Sequence, residues 1–171
     1  MRLYRKIVAK ISKDSIRSLV AAGLIEVEEN KLQEAELDLA AVMVEYLNAD
    51  EDLNEKTRSL LNKHGLGMDR FWQTKKILAE SEDFKIGNDA IDYILTCLLN
   101  TLLTSKNIAE VFGDDFELRK NMRISFDKYT SISEDLDKEA RGMLKNLRQG
   151  SSEWEIEYPR AVAQIRKRKG L

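Results

Sequence analysis

Apolar side chains recur at intervals of three and four residues along most of the chain, which is the spacing of amphipathic α-helices. In the first such stretch, Tyr4, Ile7 and Ile11 fall on one side, and Lys6 and Lys10 fall on the other. The same pattern continues to the C-terminal end. It predicts eight helices, at about residues 3–22, 31–47, 50–64, 68–80, 88–105, 115–129, 131–148 and from 152 onwards.

The fifth predicted helix is the most apolar element of the chain. Its apolar stripe is too wide for a helix that rests on a single neighbour, and consists of Ile91, Ile94, Leu95, Leu98, Leu99, Leu102 and Leu103. We therefore expect this helix to lie at the centre of the core.

Helix boundaries are predicted from capping residues. Asn48 is followed three residues later by Glu51, and Ser131 by Glu134, so each pair resembles a capping box that opens a new helix. Ser152 is predicted to open the last helix in the same way. Pro159 lies within that helix, where it should produce a kink or a break and restart. Short extended connectors are expected at 24–27 and 108–111.

One segment of the sequence occurs in two similar copies. Residues of the first half recur in the same order in the second half, which indicates a tandem duplication of roughly 85 residues. Glu51, Asp52, Leu53, Arg58, Leu61, Gly67 and Trp72 correspond to Glu134, Asp135, Leu136, Arg141, Leu144, Gly150 and Trp154. We predict an all-α fold of two tandem four-helix repeats, residues 1–85 and 86–171, packed around a shared core.

Composition supports long solvated helices, since 34% of the residues are charged, 43% are apolar and one is proline. The single cysteine, Cys97, excludes an internal disulfide. The N-terminal segment lacks the features of a secretory signal, and the longest apolar run, 93–103, is too short to span a membrane. We therefore expect a cytoplasmic protein without a membrane partner.

The formal net charge is only −2, but the basic residues are concentrated at the two ends. Residues 1–13 and 160–171 contain no acidic side chain. Because chain termini often lie close together, the ends could form a basic pole. The candidate basic surface consists of Arg2, Lys6, Lys10, Lys13, Arg17, Arg160, Arg166, Lys167, Arg168 and Lys169.

Residues 150–154 read Gly-Ser-Ser-Glu-Trp, after Arg148 and Gln149 and before a basic helix that ends Arg168-Lys169-Gly170-Leu171. With this motif, residues 131–171 resemble the bacterial domain-of-unknown-function family numbered 507. The resemblance implies a small cytoplasmic helical protein of bacteria. It implies no activity, and hence no catalytic or binding residue.

The sequence contains no recognisable catalytic, cofactor-binding or metal-binding constellation. His64 is the one histidine, and a helix-terminal or partly buried packing role is favoured over a role as a base or ligand. Cys97 lies among leucines and is expected to be an inert apolar residue. Trp72 and Trp154 are interpreted as buried anchors of short helices rather than as exposed binding residues. An enzyme is not expected.

Two functions remain open. The first is a non-catalytic interaction or scaffold protein, whose grooves between helices bind another protein or a second copy of the chain. This function is suggested by Ile16 and Val20, two apolar residues that fall outside the stripe assigned to the core. The second is a nucleic-acid or nucleoprotein binder that uses the basic pole. The first is preferred because the body of the chain is acidic and has no nucleic-acid-reading motif.

Overall fold

The computed structural model describes residues 3–169, which form six α-helices and two short strands. Single turns of 3-10 helix at Glu29–Lys31, Met68–Arg70 and Gly87–Asp89 precede three of the helices. The elements are α1 (Arg5–Ala21), β1 (Ile25–Glu26), α2 (Leu32–Lys63), α3 (Phe71–Ser81), α4 (Ala90–Thr104), β2 (Glu110–Val111), α5 (Asp115–Met143) and α6 (Ser152–Lys169).

The all-α class is confirmed, but the prediction of eight helices is wrong. The predicted second and third helices are the single helix α2, and the sixth and seventh are the single helix α5. Asn48 accepts a hydrogen bond from Arg5 of α1 at 2.7 Å, and the Ser131 hydroxyl donates to the Lys128 carbonyl of the preceding turn. No glycine or proline interrupts the chain near either residue, so the backbone continues as helix and their side chains cap nothing.

Genuine caps occur elsewhere. Asp114 and Glu117 form a capping box at the start of α5, with Asp114 accepting from the Glu117 N–H at 2.8 Å. At the start of α6 the Ser151 hydroxyl, rather than Ser152, accepts from the Trp154 N–H at 3.2 Å. Helix α6 continues through Pro159, so of the two predicted alternatives the break and restart is wrong, and the kink stays a prediction.

The main core lies between α1, α2, α4 and α5. Helix α4 buries most of its predicted apolar stripe against α2 and α5, but Leu103 is 57% exposed, so its assignment to the stripe is wrong. Helix α1 packs against the same two helices and is equally central. Ile16, taken from sequence as left over, is fully buried. The largest fully buried side chains of this core are Ile11, Ile16, Leu19, Leu39, Met43, Ile94, Leu95, Leu98, Leu102 and Phe126.

The connectors predicted at 24–27 and 108–111 meet as a two-stranded antiparallel ladder. Ile25 lies opposite Val111, and Glu26 lies opposite Glu110. Hydrogen bonds from the Ala109 and Phe112 N–H groups to carbonyls of the first connector extend the pairing. The ladder thus joins the two halves of the chain beside the main core.

The C-terminal parts of the two long helices carry the remaining elements. Helix α3 packs against α2, and α6 packs against α5 around the small apolar cluster of Leu136, Ala140, Ala161 and Ile165. Each half therefore contains three α-helices in the order helix, strand, long helix, helix, so four helices per half is wrong. The duplication itself, and the division into 1–85 and 86–171, stay predictions. Among the described helices, none combines the length and apolar character needed to cross a membrane.

Candidate functional site

A cavity of about 380 Å³ opens between α2, α3 and the start of α4. We call it the tryptophan groove. Its floor is apolar, and its wall carries two aromatic rings, an ion pair and an arginine. The lining residues that matter most are Leu47, Asp50, Arg58, Phe71, Trp72, Lys75 and Ile91.

Trp72 lies at the rim of the tryptophan groove and is 67% exposed, so its interpretation as a buried anchor is wrong. Helical spacing places it on the same side of α3 as the buried Lys75 and Ala79. The open space of the groove, however, leaves the ring without an apolar neighbour that covers it. Its ring meets Phe71 edge to face, with the centroids 6.5 Å apart.

Trp154 is half-buried and also departs from the buried-anchor interpretation. Its ring stacks on that of Tyr158 within α6, with the centroids 5.5 Å apart and the planes at 19°. This stacking contact within one helix accounts for part of the burial of the indole.

An ion pair between α3 and α2 forms part of the groove wall. Lys75 Nζ donates to Asp50 Oδ1 at 2.6 Å, and the two side chains are 5% and 28% exposed respectively. Lys75 Nζ also lies 5.5 Å from the centroid of the Trp72 ring. The sequence analysis missed this pair, because it placed Asp50 at the start of a predicted helix, 50–64, that is in fact part of α2, and no pattern singled out Lys75.

Aromatic packing holds the far end of the same wall in place. The Tyr46 hydroxyl donates to the Lys85 carbonyl at 2.9 Å, and its ring stacks on Phe84 with centroids 5.0 Å apart. Burial, followed by the nearby charge of Asp50, raises the pKa of Tyr46 well above its ordinary value. Tyr46 therefore remains a neutral hydrogen-bond donor that ties α2 to the segment before α4.

The candidate basic surface converges in part. Helices α1 and α6 both pack on α5, and Lys6, Lys10 and Arg166 line one narrow groove of about 90 Å³. We call it the basic groove. Its other lining residues come from α1 and α5, namely Ile7, Tyr129, Ile132, Ser133 and Leu136.

The rest of the candidate basic surface is largely neutralised or dispersed. Arg17 pairs with Glu36, Arg160 with Glu157, and Arg168 and Lys169 both with Glu139. Lys13 and Lys167 are exposed outside the basic groove, and Arg2 lies outside the described residues. The charge pattern of the sequence identified the converging cations but not the acidic partners of the others. Glu157 lies one turn before Arg160 on α6, whereas Glu36 and Glu139 lie on different helices from the cations that they bind.

A hydrogen-bonded network borders the basic groove. The Tyr158 hydroxyl and Arg141 Nε, the latter at 2.8 Å, both donate to the Asp137 carboxylate. Partial burial opposes ionisation of Asp137, but these two donors outweigh it and lower its pKa below the usual value. Burial first, and then the hydrogen bond to Asp137, raise the pKa of Tyr158 to about 12.

Replacing Tyr158 by phenylalanine is expected to lower the free energy of unfolding by about 1 kcal/mol at pH 7, because the hydrogen bond to a partly exposed carboxylate is lost. The raised pKa of Tyr158 adds a pH dependence. Its stabilising contribution is complete below about pH 10, the pKa of an unfolded tyrosine, and is lost as the pH rises towards about 12. Urea unfolding at pH 7, 10 and 11.5 measures both effects. A Tyr158→Phe protein with an unchanged alkaline loss of stability would contradict the assignment.

The residues singled out for chemistry do not form a reactive site. His64 is the exposed residue that ends α2, so the helix-terminal interpretation is confirmed and partial burial is wrong. Cys97 is half-buried on α4 rather than enclosed among leucines. Within residues 3–169, no three histidine, cysteine, aspartate or glutamate side chains come together in a way that could hold a metal ion.

The structure thus defines an all-α protein with two surface grooves that differ in size and charge. The chain belongs to the family described as protein of unknown function, DUF507, whose model matches residues 1–171. The resemblance predicted over residues 131–171 is confirmed and extends along the whole chain. A comparison with curated proteins finds no match.

Proposed function

We propose that this protein is a non-catalytic interaction protein, whose tryptophan groove binds an acidic segment of another protein that carries a large apolar side chain. The observation that supports this most strongly is the exposure of Trp72 at the mouth of a 380 Å³ cavity. Tryptophan is enriched among the residues that contribute most to protein binding.

Further exposed apolar side chains lie within six residues of Trp72 in the sequence. Leu66 and Met68, in the turn between α2 and α3, are also exposed. Exposed apolar side chains that adjoin one another commonly mark interaction sites, whereas isolated ones do not. The cavity itself is large enough for the anchor side chain of a partner, since small-molecule sites begin at about 300 Å³.

The charge of the groove favours an acidic partner. Arg58 lies against the Phe71 ring, with its guanidinium carbon 5.8 Å from the centroid, and it forms no ion pair among residues 3–169. Lys75 is already compensated by Asp50. A carboxylate beside the partner's apolar anchor would pair with Arg58. A symmetric dimer through the same surface would instead bring the two copies of Arg58 towards each other.

A phage-displayed library of random peptides, selected against the full chain, tests this proposal. We expect a recovered motif with an aromatic or aliphatic residue next to aspartate or glutamate. In fluorescence anisotropy with a selected peptide, Trp72→Ala and Arg58→Glu should each weaken binding at least about tenfold. Ile124→Ala is the control, because Ile124 is similarly exposed on α5 away from the tryptophan groove.

Three results would contradict the proposal. One is a selection without a common motif, and another is a motif whose binding survives both groove substitutions. The third is a dimer in light scattering that Trp72→Ala dissociates, which would assign the groove to a second copy of the chain.

Binding of nucleic acid is the second candidate function, and the convergence of Lys6, Lys10 and Arg166 favours it. Contacts to phosphates would make the affinity fall steeply with salt concentration. The acidic partners of Arg17, Arg160, Arg168 and Lys169 reduce the charge available for such contacts. We therefore rank it below protein binding. It is tested by measuring the binding of short RNA and DNA strands beside that of phosphate at the basic groove.

A further inference from the structure

We propose that the basic groove is a binding site for a single phosphate group, held by Lys6, Lys10 and Arg166 with the hydroxyl of Ser133 as an additional donor. This site is separate from the tryptophan groove and does not depend on the proposed protein binding.

Ser133 provides the first observation. It is 2% exposed, it lines the basic groove, and its hydroxyl has no hydrogen-bond partner within residues 3–169. Buried hydroxyls in helices ordinarily donate to the carbonyl one turn earlier, as Thr130 of the same helix does to Phe126 at 2.7 Å. A buried polar group without a partner destabilises the folded state, because its lost hydrogen bonds to water are not replaced. An acceptor bound in the groove would remove that destabilisation.

The arrangement of the cations provides a second, independent observation. Lys6 and Lys10 lie on successive turns of α1, and Arg166 reaches the same groove from α6. None of the three forms an ion pair with a described residue, although Lys6 Nζ lies 5.5 Å from the Tyr4 ring centroid. Neighbouring positive charges repel one another, and an anion bound between them attracts each one and so offsets the repulsion.

The size and walls of the basic groove restrict the ligand. Its volume of about 90 Å³ corresponds to roughly three water molecules at ~30 Å³ each. That space is far below the roughly 300 Å³ at which sites for drug-sized ligands begin, so it favours a small group such as a single tetrahedral anion. Apolar contacts from Ile7, Ile132 and Leu136 reduce the access of water, which strengthens charge-assisted hydrogen bonds.

A phosphate group matches this donor set. Arginine donates two parallel hydrogen bonds to oxyanions, and the lysines supply point charges without fixed geometry. Asp137, whose pKa the charge of Lys6 helps to lower, is already bound by Tyr158 and Arg141, so it competes only weakly for the three cations. Two sources of the group share this chemistry, namely free inorganic phosphate and the phosphate monoester of a small metabolite.

Isothermal titration of the full chain with inorganic phosphate tests the site at low ionic strength. We expect saturable binding of one phosphate per chain. Ser133→Ala and Arg166→Gln should each weaken it about tenfold, the loss of one hydrogen bond to a charged group. Because alanine favours helix, Ser133→Ala should leave the fold intact, which circular dichroism verifies.

Matched controls separate the site from general surface charge. Ser131→Ala removes an exposed serine of the same helix, and Lys13→Gln removes an exposed lysine of α1 outside the basic groove. Both should bind phosphate as the wild type does. Absence of saturation below about 10 mM phosphate, or equal weakening by the control substitutions, would overturn the proposal.

Titrations with other ligands identify the source of the phosphate group. Tighter binding of glycerol 3-phosphate than of inorganic phosphate, with the same dependence on Ser133, would support the site and indicate a metabolite. Equal binding would support it and indicate the free ion. Binding of short RNA or DNA strands without measurable phosphate binding would overturn the phosphate site and favour the nucleic-acid candidate. None of these probes reports on the tryptophan groove, so the two proposals fail separately.

Discussion

Replacing Phe126 by alanine is expected to lower the free energy of unfolding by about 3 to 5 kcal/mol. Phe126 is the largest side chain of the main core that solvent does not reach, at 0% exposure. It extends from α5 into the core that α1, α2 and α4 complete. Truncation removes the apolar contacts of the ring and leaves a cavity that the surrounding helices can fill only in part.

Phe116 provides a matched control on the same helix. It is 72% exposed, so Phe116→Ala should change the free energy of unfolding by less than about 0.5 kcal/mol. Urea denaturation followed by circular dichroism measures both variants. Comparable effects of the two substitutions would mean that α5 does not contribute Phe126 to the core.

Replacing Asp50 by alanine should cost about 3 kcal/mol, since it strands the ammonium of Lys75 in a site where that side chain is 5% exposed. This value is at the lower end of the range for buried pairs, because the tryptophan groove lets water approach. Lys75→Met should cost less, because the carboxylate left behind is 28% exposed and keeps part of its hydration.

The double variant completes the test. With both charges gone, Asp50→Ala with Lys75→Met should be more stable than Asp50→Ala alone, because the stranded charge has been removed. Denaturant unfolding at pH 7 gives the coupling energy. A larger cost for Lys75→Met than for Asp50→Ala, or additive effects in the double variant, would show that Lys75 is solvated in the folded protein.

The core was predictable because it follows from the helical period alone. Ile11, Leu98 and Phe126 occupy apolar stripes in the sequence, and all three are fully buried in the main core. The interaction responsible, removal of apolar surface from water, is not directional, so the side on which a residue falls largely decides its burial.

Helix boundaries were less predictable. A side chain that could cap a helix can instead bind another partner, and the sequence pattern does not show which of the two occurs. Asn48 and Ser131 can cap a helix only if the backbone leaves the helical path at that point. Each has another partner, the Arg5 guanidinium for Asn48 and the Lys128 carbonyl for Ser131. Continuous apolar stripes on either side stabilise the longer helices α2 and α5.

The candidate sites depend on contacts between residues far apart in sequence. Charge clustering identified Lys6, Lys10 and Arg166, because their shared face follows from helical spacing and from the two ends of the chain meeting on α5. The buried pair of Lys75 with Asp50 had no such signal. Trp72 is exposed because it borders the open space of the tryptophan groove. The residues next to it in the sequence give no indication of that space.

The ladder between β1 and β2 has a consequence for the order in which the molecule assembles. Ile25 and Val111 are opposed residues of the ladder, and the whole of α2, α3 and α4 lies between them in the chain. Contacts of such long range form late, because they require a large loss of chain entropy before any contact compensates for it. The main core takes buried residues from both halves, the last of them Phe126 in α5, so the chain must leave the ribosome at least that far before this core can close.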